Sequence, residues 1–313
     1  MTPDSRIYLA GHTGLVGSAL VRALAARGHR DLIVASHGEL DLRDRVAVRA
    51  FFARHKPQYV LLAAARVGGI QANLEFPVDF IRDNLEIQTN VIDAAWLNGA
   101  SKMLFLGSSC IYPRLARQPI PESELLAGPL EASNQPYAVA KIAGITLCQA
   151  YRRQYGFDAI SLMPSNLYGP GDNFHPEHSH VVPALLRRFH EAKRAGQPEV
   201  VVWGSGTPRR ELLHVDDLAD AACHLMEIYS SADPVNVGTG EDVSIAELAE
   251  LIRAIVGYGG RIRFDASRPD GTPRKALDIG RLTALGWRPR ITLRAGLEQT
   301  YSWYLEHESA ARH

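Results

Sequence analysis

Near its start the chain reads Arg6-Ile-Tyr-Leu-Ala-Gly11-His-Thr-Gly14-Leu-Val-Gly17, and this stretch decides the fold. The first five residues are typical of a strand, and apolar residues recur at helical spacing from Gly14 to Arg27. Glycines allow the backbone to turn tightly and to approach a pyrophosphate, while the start of a helix offers unpaired N–H groups and a positive dipole. A strand, a glycine loop and a helix in this order predict a dinucleotide-binding unit.

The rest of the N-terminal half repeats this alternation of elements. Short apolar runs predict strands at residues 6–10, 31–35, 58–64, 102–107 and 158–163, and helical patterns cover residues 14–27, 43–54, 79–98 and 137–155. Near-continuous apolar strands separated by helices indicate a parallel sheet covered on both faces, so we predict a doubly wound α/β fold of the Rossmann type. We place this dinucleotide-binding domain at residues 1–170. A second, smaller α/β lobe is expected at 171–313, where Pro and Gly become frequent, with some segments returning to the first domain.

The composition is that of an ordinary globular protein without a strong global charge. The 313 residues include 34 basic and 34 acidic side chains, so no overall field attracts nucleic acid or an anionic membrane. No apolar run approaches the length of a membrane span, and the N-terminus enters a strand without a basic leader. Three scattered cysteines, Cys110, Cys148 and Cys223, are too few for a disulfide framework. We therefore expect a cytoplasmic protein that binds neither nucleic acid nor membranes.

The end of the second predicted strand bears on the choice of cofactor. It reads Ala35-Ser36-His37, where an NAD-specific fold would usually place an acidic residue on the ribose. Without that carboxylate a 2′-phosphate is not repelled, and Ser36 or His37 can donate hydrogen bonds to it. The sequence therefore favours NADP over NAD. Asp41 and Leu42 follow, at the place where such folds meet the adenine ring.

Candidate catalytic residues follow the fourth strand and open the next helix. Gly107-Ser108-Ser109-Cys110 ends the strand at the carboxyl edge of the sheet, where open α/β folds bind ligands. Tyr137 and Lys141 are four residues apart, so a helix brings the phenol and the ammonium onto one face. A cation near a phenol favours the phenolate, which makes the tyrosine usable as an acid or base near neutral pH, as a carbonyl reductase requires. Taken alone, such a pair more often reflects two exposed residues that share a helix face by chance.

With Ser108, Tyr137 and Lys141 in this order after a G-x-x-G-x-x-G loop, the sequence resembles the extended branch of the short-chain dehydrogenase/reductase superfamily. The resemblance implies that Ser108 hydrogen-bonds the substrate carbonyl and that Tyr137 donates the proton to its oxygen. Lys141 is then expected to lower the tyrosine pKa and to hold the nicotinamide ribose, and hydride comes from the cofactor. The cofactor-binding positions implied by the resemblance are Gly11, His12, Thr13, Gly14, Leu15, Val16, Gly17, His37, Asp41, Leu42, Leu106, Gly107, Ser108, Ser109, Lys141, Pro164, Ser165, Asn166, Leu167 and His180.

Longer runs narrow the resemblance to the GDP-L-fucose synthase family, whose substrate is GDP-4-keto-6-deoxy-mannose. The matching segments are residues 104–113, 166–170, 172–176, 181–189, 201–206, 213–217 and 269–275. This resemblance implies 3,5-epimerisation of the sugar followed by NADPH-dependent reduction of its C4 ketone. A 4-keto group acidifies the hydrogens on C3 and C5, so an acid and a base beside the ring can invert both centres through an enolate.

The family resemblance assigns that acid–base pair to Cys110 and His180. Cys110 follows Ser108 by two residues, so one loop can present both side chains to the same sugar. A nearby positive charge can tune the thiol toward thiolate, and the alternative is a buried small cysteine. His180 lies in His175-Pro-Glu-His178-Ser-His180, just before a predicted helix, and its alternatives are a helix cap or a solvent histidine. Three histidines on one loop lack further ligands, so we expect no metal site.

Substrate recognition is expected mainly in the second lobe, at the positions that match the family. These are Arg188, Trp203, Arg210, Asp270 and Lys275. Arginine forks suit diphosphate oxygens, and an aromatic ring can pack on a sugar or a base. Without the resemblance, the tryptophan would be taken as a core residue and the arginines as solvated.

Two positions depart from the family. Several members carry arginines that bind the NADP 2′-phosphate where this chain has Thr13 and His37. Losing two guanidinium contacts weakens the preference for NADP, but we still expect NADPH as the reductant.

Three alternatives come from other functions of the same fold. An NAD-dependent 4-epimerase retains its cofactor and needs no acid–base pair of this kind. A 4,6-dehydratase typically needs acidic residues after the catalytic serine, where this chain has Ser109-Cys110. A non-catalytic dinucleotide-binding protein would not need the Ser, Tyr and Lys set. In the superfamily the helices around 84–98 and 137–155 pair across a two-fold axis, so we expect a homodimer.

Overall fold

A six-stranded parallel sheet forms the centre of the molecule. The computed structural model describes residues 1–176, 178–268 and 270–308. The strands are β1 (Ile7–Ala10), β2 (Leu32–Ile33), β3 (Tyr59–Leu62), β4 (Lys102–Leu106), β5 (Asp158–Pro164), β6 (Asn166–Tyr168), β7 (Glu199–Trp203), β8 (Arg209–Arg210), β9 (Leu212–His214), β10 (Val235–Val237), β11 (Val243–Ser244), β12 (Arg261–Asp265) and β13 (Arg274–Lys275). The central sheet has the order β10-β5-β4-β3-β1-β2, and all its neighbouring strands are parallel. The predicted doubly wound α/β fold is confirmed.

Ten helices are found in the described residues. They are α1 (Leu15–Ala26), α2 (Arg45–His55), α3 (Ile70–Glu75), α4 (Pro77–Leu97), α5 (Gln135–Tyr155), α6 (Val181–Arg194), α7 (Val215–Ile228), α8 (Ile245–Val256), α9 (Gly280–Ala284) and α10 (Leu293–Glu306). Short 3-10 helices cover Ser109–Ile111, Glu122–Glu124 and Ala132–Asn134. None of the helices in these residues is long and apolar enough to cross a membrane.

The second strand is shorter than predicted. It covers Leu32–Ile33 rather than residues 31–35 and pairs on one side only, with β1 at the edge of the sheet. Shortly beyond it, the Glu39 carboxylate accepts hydrogen bonds from the backbone N–H of Ser36 at 2.8 Å and from its hydroxyl at 2.7 Å. These local bonds turn the chain away from the sheet, which ends the strand early.

Alternate side chains of the central strands face two different helical layers. Ile7 and Leu9 of β1 belong to a core shared with α1 and α7. Tyr8 and Ala10 point to the other side and pack with residues of α2, α4 and α5. Because both faces of the sheet are covered, its strands are apolar on both sides, which is the pattern the sequence shows.

The later part of the chain builds a further core of its own. Helices α6, α8 and α10 pack around Phe189, Leu248 and Ile252, and β7 pairs in parallel with β12. Strand β10, by contrast, lies in the central sheet beside β5. The predicted domain boundary at residue 170 stays a prediction. Pro269, in the motif at 269–275, lies outside the described residues.

The glycine loop brings α1 close to the end of β1. Gly11 has a φ of +86°, and a Cβ built on it would lie 2.7 Å from the backbone N of Ala64. A Cβ on Gly17 would lie 1.9 Å from Gly11 O. Packing therefore requires glycine at positions 11 and 17 whether or not a ligand binds, because a side chain there would push the helix away from the strand.

A buried carboxylate joins three distant segments of the chain. Glu211 is fully buried, and its Oε1 accepts hydrogen bonds from the backbone N–H groups of Thr239, at 2.5 Å, and Gly240, at 2.8 Å. Its Oε2 accepts one from Leu277 N at 2.6 Å. Burial raises the pKa of Glu211, while these backbone donors act in the opposite direction. The side chain thus ties the β8–β9 region to the loop after β10 and to the segment after β13.

We expect Gly17→Ala to lower the free energy of unfolding by roughly 1–3 kcal/mol, because the added methyl group overpacks the junction of α1 and β1. Urea denaturation measures the change. Gly38→Ala is the control, since a Cβ at Gly38 meets no atom within 4 Å. Equal urea midpoints for the two variants would contradict the close packing of the glycine loop.

Candidate active site

The glycine loop presents backbone donors at the start of α1. No side chain caps this helix after Gly14, and its first turn contains no acidic residue. A Cβ built on Gly14 would meet only Gly11 O, at 3.4 Å, so the space in front of the helix is open. In the same loop, Nδ1 of His12 is buried and has no hydrogen-bond partner among the described residues. Uncapped N–H groups, open space and an unpaired buried nitrogen fit the pyrophosphate of a dinucleotide.

The other predicted cofactor residues lie at or after the ends of three strands. They follow β2 (His37, Asp41, Leu42), lie at the end of β4 (Leu106, Gly107, Ser108, Ser109) and run from β5 into β6 (Pro164, Ser165, Asn166, Leu167). Because the strands are parallel, these ends share one edge of the sheet. Ser165 Oγ is buried there without a partner in the described part of the chain, which suits a ligand contact. Asp41, however, is already bound by Arg43 at 2.7 Å, and this hydrogen bond lowers the pKa of Asp41 to about 2.

The structure brings the predicted reductase residues together. Ser108 follows β4, and its Oγ accepts a hydrogen bond from Cys110 N at 3.2 Å. Tyr137 lies in the first turn of α5, and Lys141 lies one turn later. The Lys141 ammonium is 5.9 Å from the centroid of the Tyr137 ring and donates a hydrogen bond to Leu106 O at 2.8 Å. Helix spacing and the end of β4 therefore place the three side chains at one point of the sheet edge.

In this structure the pKa of Tyr137 depends mainly on burial, and the role expected of Lys141 stays a prediction. Burial raises the pKa of Tyr137, the nearby Cys110 raises it further, and only a hydrogen bond with Ser108 lowers it. Burial also lowers the pKa of Lys141 to about 8. The lysine is buried against the sheet, and its ammonium donates to a backbone carbonyl.

Cys110 is held against a cation from a distant part of the sequence. Its Sγ is 3.2 Å from Nζ of Lys275, which lies on β13. Burial acts to raise the pKa of Cys110, but the charge of Lys275 and hydrogen bonds involving Ser108, Lys275 and Asn134 lower it below the ordinary value. The alternative of an inert buried cysteine describes Cys148, but not Cys110, which is partly exposed.

His180 precedes the first residue of α6 and makes no side-chain capping bond. The residue as a whole is exposed, although desolvation by nearby protein atoms acts on its ring. This crowding and the charge of Lys275 lower the pKa of His180. The neighbouring His178 faces elsewhere, since its Nε2 is 3.3 Å from Glu75 and its ring stacks on His175. Among the described residues, no group of three His, Cys, Asp or Glu side chains is placed to hold a metal ion.

The predicted substrate residues supply a cationic and aromatic surface. The guanidinium carbon of Arg188 lies 4.9 Å from the centroid of the Trp203 ring, and Trp203 is half-exposed. Arg210 pairs in register with Lys275 across β8 and β13. Asp270 is engaged within the protein, because its carboxylate accepts hydrogen bonds from Ser205 N at 2.7 Å and Ser205 Oγ at 2.8 Å.

Two residues at this site were not predicted from the sequence. Asn134 lines one small cavity together with Cys110 and Lys275. Its position just before the helix that carries Tyr137 was the available clue. Arg268 lies 5.0 Å from the Trp203 ring centroid, a second guanidinium on the same indole. No local pattern marks Arg268, because its position depends on where β12 ends.

Comparison with known proteins agrees with this geometry. Residues 7–238 match the model of the NAD dependent epimerase/dehydratase family. The chain is 57% identical over 316 residues to the GDP-L-fucose synthase of Escherichia coli (strain K12), with 98% of each chain covered. It is 59% identical over 304 residues to GDP-L-fucose synthase 1 of Arabidopsis thaliana, covering 97% of this chain and 94% of that protein. A solved GDP-L-fucose synthetase from Naegleria fowleri bound to NADP matches with a TM-score of 0.92 at 30% identity, covering 100% of this chain and 98% of that one.

A Rossmann sheet that carries a glycine loop and a Ser, Tyr and Lys set at its edge defines the class: the chain belongs to the NAD dependent epimerase/dehydratase family. Relatives that match it over nearly the whole length narrow the class further. Within it, the chain belongs to the GDP-L-fucose synthases, and the resemblance found in the sequence is confirmed.

We expect iodoacetamide at pH 7.5 to alkylate Cys110 well before the other two cysteines, as measured by peptide mass spectrometry over time. The thiolate is the reactive form, and burial raises the pKa of Cys148 to about 12 and that of Cys223 to about 11. Denatured protein, in which all three thiols react, is the control. Equal labelling rates of the three cysteines in the native protein would contradict the low pKa of Cys110.

Proposed function

We propose that this chain epimerises GDP-4-keto-6-deoxy-D-mannose at C3 and C5 and reduces its C4 ketone with NADPH, giving GDP-L-fucose. The names of the relatives at 57% and 59% identity support this product. The observation that carries the proposal is the position of Cys110 between the two sets of residues. Its backbone N–H donates to Ser108 at 3.2 Å, and its sulfur lies 3.2 Å from Lys275, so one cleft contains both an activated thiol and the reductase residues.

Tyr137 is the proton donor of the reduction. Since burial and the neighbouring Cys110 raise its pKa, the phenol keeps its proton at neutral pH and has it ready for the C4 oxygen. Ser108 hydrogen-bonds the phenol and is placed to hold the same carbonyl oxygen. NADPH, when bound, supplies the hydride. Lys141, fixed by Leu106 O, is assigned to the nicotinamide ribose.

Cys110 is the base and His180 the acid of the epimerisation. In the proposed step a C–H bond next to the ketone breaks, its proton passes to the Cys110 sulfur, and the electron pair forms an enolate with the C4 oxygen. His180, in its imidazolium form, then gives an N–H proton to the same carbon from the opposite face, as inversion requires, and is left as a neutral imidazole. Because His180 is exposed, it can take a new proton from water before the second centre reacts, while the Cys110 thiol returns its proton to solvent. General acid–base catalysis of this kind is typically worth about 10²–10⁴ in rate.

The opposite pKa shifts at Tyr137 and Cys110 match these two tasks. One environment raises the pKa of the phenol and lowers that of the thiol, so a proton donor and a proton acceptor exist side by side at one pH. Pairs of groups whose pKa values are pushed apart in this way are typical of sites that need both an acid and a base.

The GDP-sugar is held by the cationic and aromatic surface of the second lobe. Arg188, Arg210 and Lys275 offer positive charge to the diphosphate, and the half-exposed Trp203 ring offers a packing surface. Burial lowers the pKa of Arg188 and Arg210, because it disfavours their charged forms. A bound diphosphate would place negative charge beside the two guanidinium groups and so favour the charged forms. The Asp270 carboxylate already accepts hydrogen bonds from Ser205. We therefore assign Asp270 an indirect role in substrate binding, through its backbone and through the turn that it stabilises at Ser205.

NADPH is the reductant of this reaction. The glycine loop and the open start of α1 fit the pyrophosphate, and the NADP-bound relative supports this choice. Thr13 and His37 stand where several family members carry arginines for the 2′-phosphate, and the hydroxyl of the nearby Ser36 already donates to Glu39 at 2.7 Å. We therefore propose a weaker preference for NADP over NAD than arginines would give.

The chain works as a cytoplasmic homodimer in this proposal. Helices α4 and α5 pack against each other and leave Leu97, Val139 and Tyr155 exposed, an apolar face suited to a second copy. The three free cysteines fit a reducing compartment.

The reduction is tested with Tyr137→Phe against Tyr155→Phe, a tyrosine of the same helix that lies at its far end. We expect Tyr137→Phe to slow NADPH oxidation with GDP-4-keto-6-deoxy-mannose by at least about 10²-fold, because the proton donor is lost. Deuterium uptake by the substrate from D₂O should continue, and Tyr155→Phe should keep both activities. NADPH oxidation at the normal rate in Tyr137→Phe would remove the tyrosine from this role. A wild-type protein that neither oxidises NADPH nor exchanges deuterium would favour a non-catalytic protein, an epimerase or a dehydratase.

A further inference from the structure

Lys275 occupies a position that substrate binding alone does not explain. Its ammonium lies 3.2 Å from the Cys110 sulfur, although 165 residues separate the two in sequence. Lysine side chains on a surface are flexible and strongly hydrated, so such a contact requires the backbone to bring them there. The thiol and the ammonium line the same small cavity, and Cys110 is partly exposed in it.

The backbone at Lys275 and just after it is fixed by hydrogen bonds to other segments of the chain. Lys275 O accepts a hydrogen bond from Glu211 N at 3.1 Å, and Leu277 N donates to the buried Glu211 carboxylate at 2.6 Å. Between them, Ala276 N donates to Gln118 Oε1 at 3.0 Å. Strand β13 also pairs with β8, with Lys275 opposite Arg210. Glu211 thus binds this segment twice: its backbone N–H bonds Lys275, and its carboxylate bonds Leu277, two residues later.

Among the described residues, the ammonium of Lys275 is not paired with a carboxylate. Within the described ranges 1–176, 178–268 and 270–308, no ion pair joins it to an Asp or Glu side chain. Its neighbour Arg274, by contrast, lies 2.6 Å from Asp242. The titratable or charged groups that interact with Cys110 are Lys275, Arg210 and Tyr137. The same cavity is also lined by Arg114, Glu131 and Arg274. Lys275 is the cation in direct contact with the sulfur.

We propose that Lys275 is a positioning residue of the epimerisation, which holds Cys110 as a thiolate and is itself fixed by Glu211. The use of that thiolate as a base rests on the proposed function. Burial and the same ammonium lower the pKa of His180, so its imidazolium form gives up a proton more readily. The proton that leaves Cys110 goes to solvent, and the resulting charge on sulfur is balanced by the ammonium.

The pH dependence of Cys110 alkylation by iodoacetamide tests the proposal, because it needs no substrate or cofactor. We expect the wild-type midpoint to lie below that of an ordinary thiol, ~8.5, and to rise by at least about one pH unit in Lys275→Met. Absorbance of the thiolate at 240 nm should fall in parallel. Lys275→Arg should restore most of the shift, since it keeps the charge. Arg274→Met, which removes the neighbouring cation of the same strand, is the matched control and should leave the midpoint unchanged.

A midpoint in Lys275→Met equal to that of the wild type would overturn the proposal, as would a wild-type midpoint at or above ~8.5. Folding is checked by Cys148 and Cys223, which stay unreactive while the native core is intact. If Lys275→Met labels those two, Lys275→Gln is measured instead, and the wild-type midpoint decides on its own. A protein that shows the shift but makes no product would refute the proposed function and leave the role of Lys275 standing.

Discussion

The buried carboxylate of Glu211 is the contact on which the geometry of the cleft depends. A carboxylate removed from water is costly unless donors surround it, and Glu211 has three backbone N–H groups, from Thr239, Gly240 and Leu277. One of these donors follows Lys275 by two residues, and Arg210 directly precedes Glu211 in the chain. The loop that supplies the other two follows β10, a strand of the central sheet. The glutamate therefore fixes two cations of the cleft relative to the sheet edge that carries Ser108 and Cys110.

This arrangement allows one cleft to serve two kinds of proton transfer. The proposed reduction needs a group that holds its proton until the C4 oxygen requires it, and Tyr137 suits this role because desolvation in the protein raises its pKa. The proposed epimerisation needs a group that loses its proton readily, and Lys275, 3.2 Å from the sulfur, lowers the pKa of Cys110. The two groups reinforce each other, since the negative charge near Cys110 raises the pKa of the phenol further.

Much of the fold follows from the order of residues along the chain. The glycine loop, the alternating strands and helices and the four-residue step from Tyr137 to Lys141 are local patterns, and the structure contains each of them. The contacts that tune the site are not local. Lys275 meets Cys110 only because a two-residue strand, β13, pairs with another two-residue strand, β8, and such short elements leave no periodic pattern in a sequence. For the same reason the three hydrogen bonds of Glu211 could not be predicted, and the desolvation that raises the pKa of Tyr137 likewise depends on packing that no local pattern shows.

The most direct measurement is the position of deuterium in the product made by the wild-type protein from GDP-4-keto-6-deoxy-D-mannose and NADPH in D₂O. Nuclear magnetic resonance would identify both the sugar and the labelled carbons. If Cys110 and His180 invert the two centres before Tyr137 completes the reduction, the product is GDP-L-fucose with deuterium at C3 and at C5. A reduced sugar that retains hydrogen at both carbons and the configuration of the substrate would show a simple C4 reductase and contradict this mechanism.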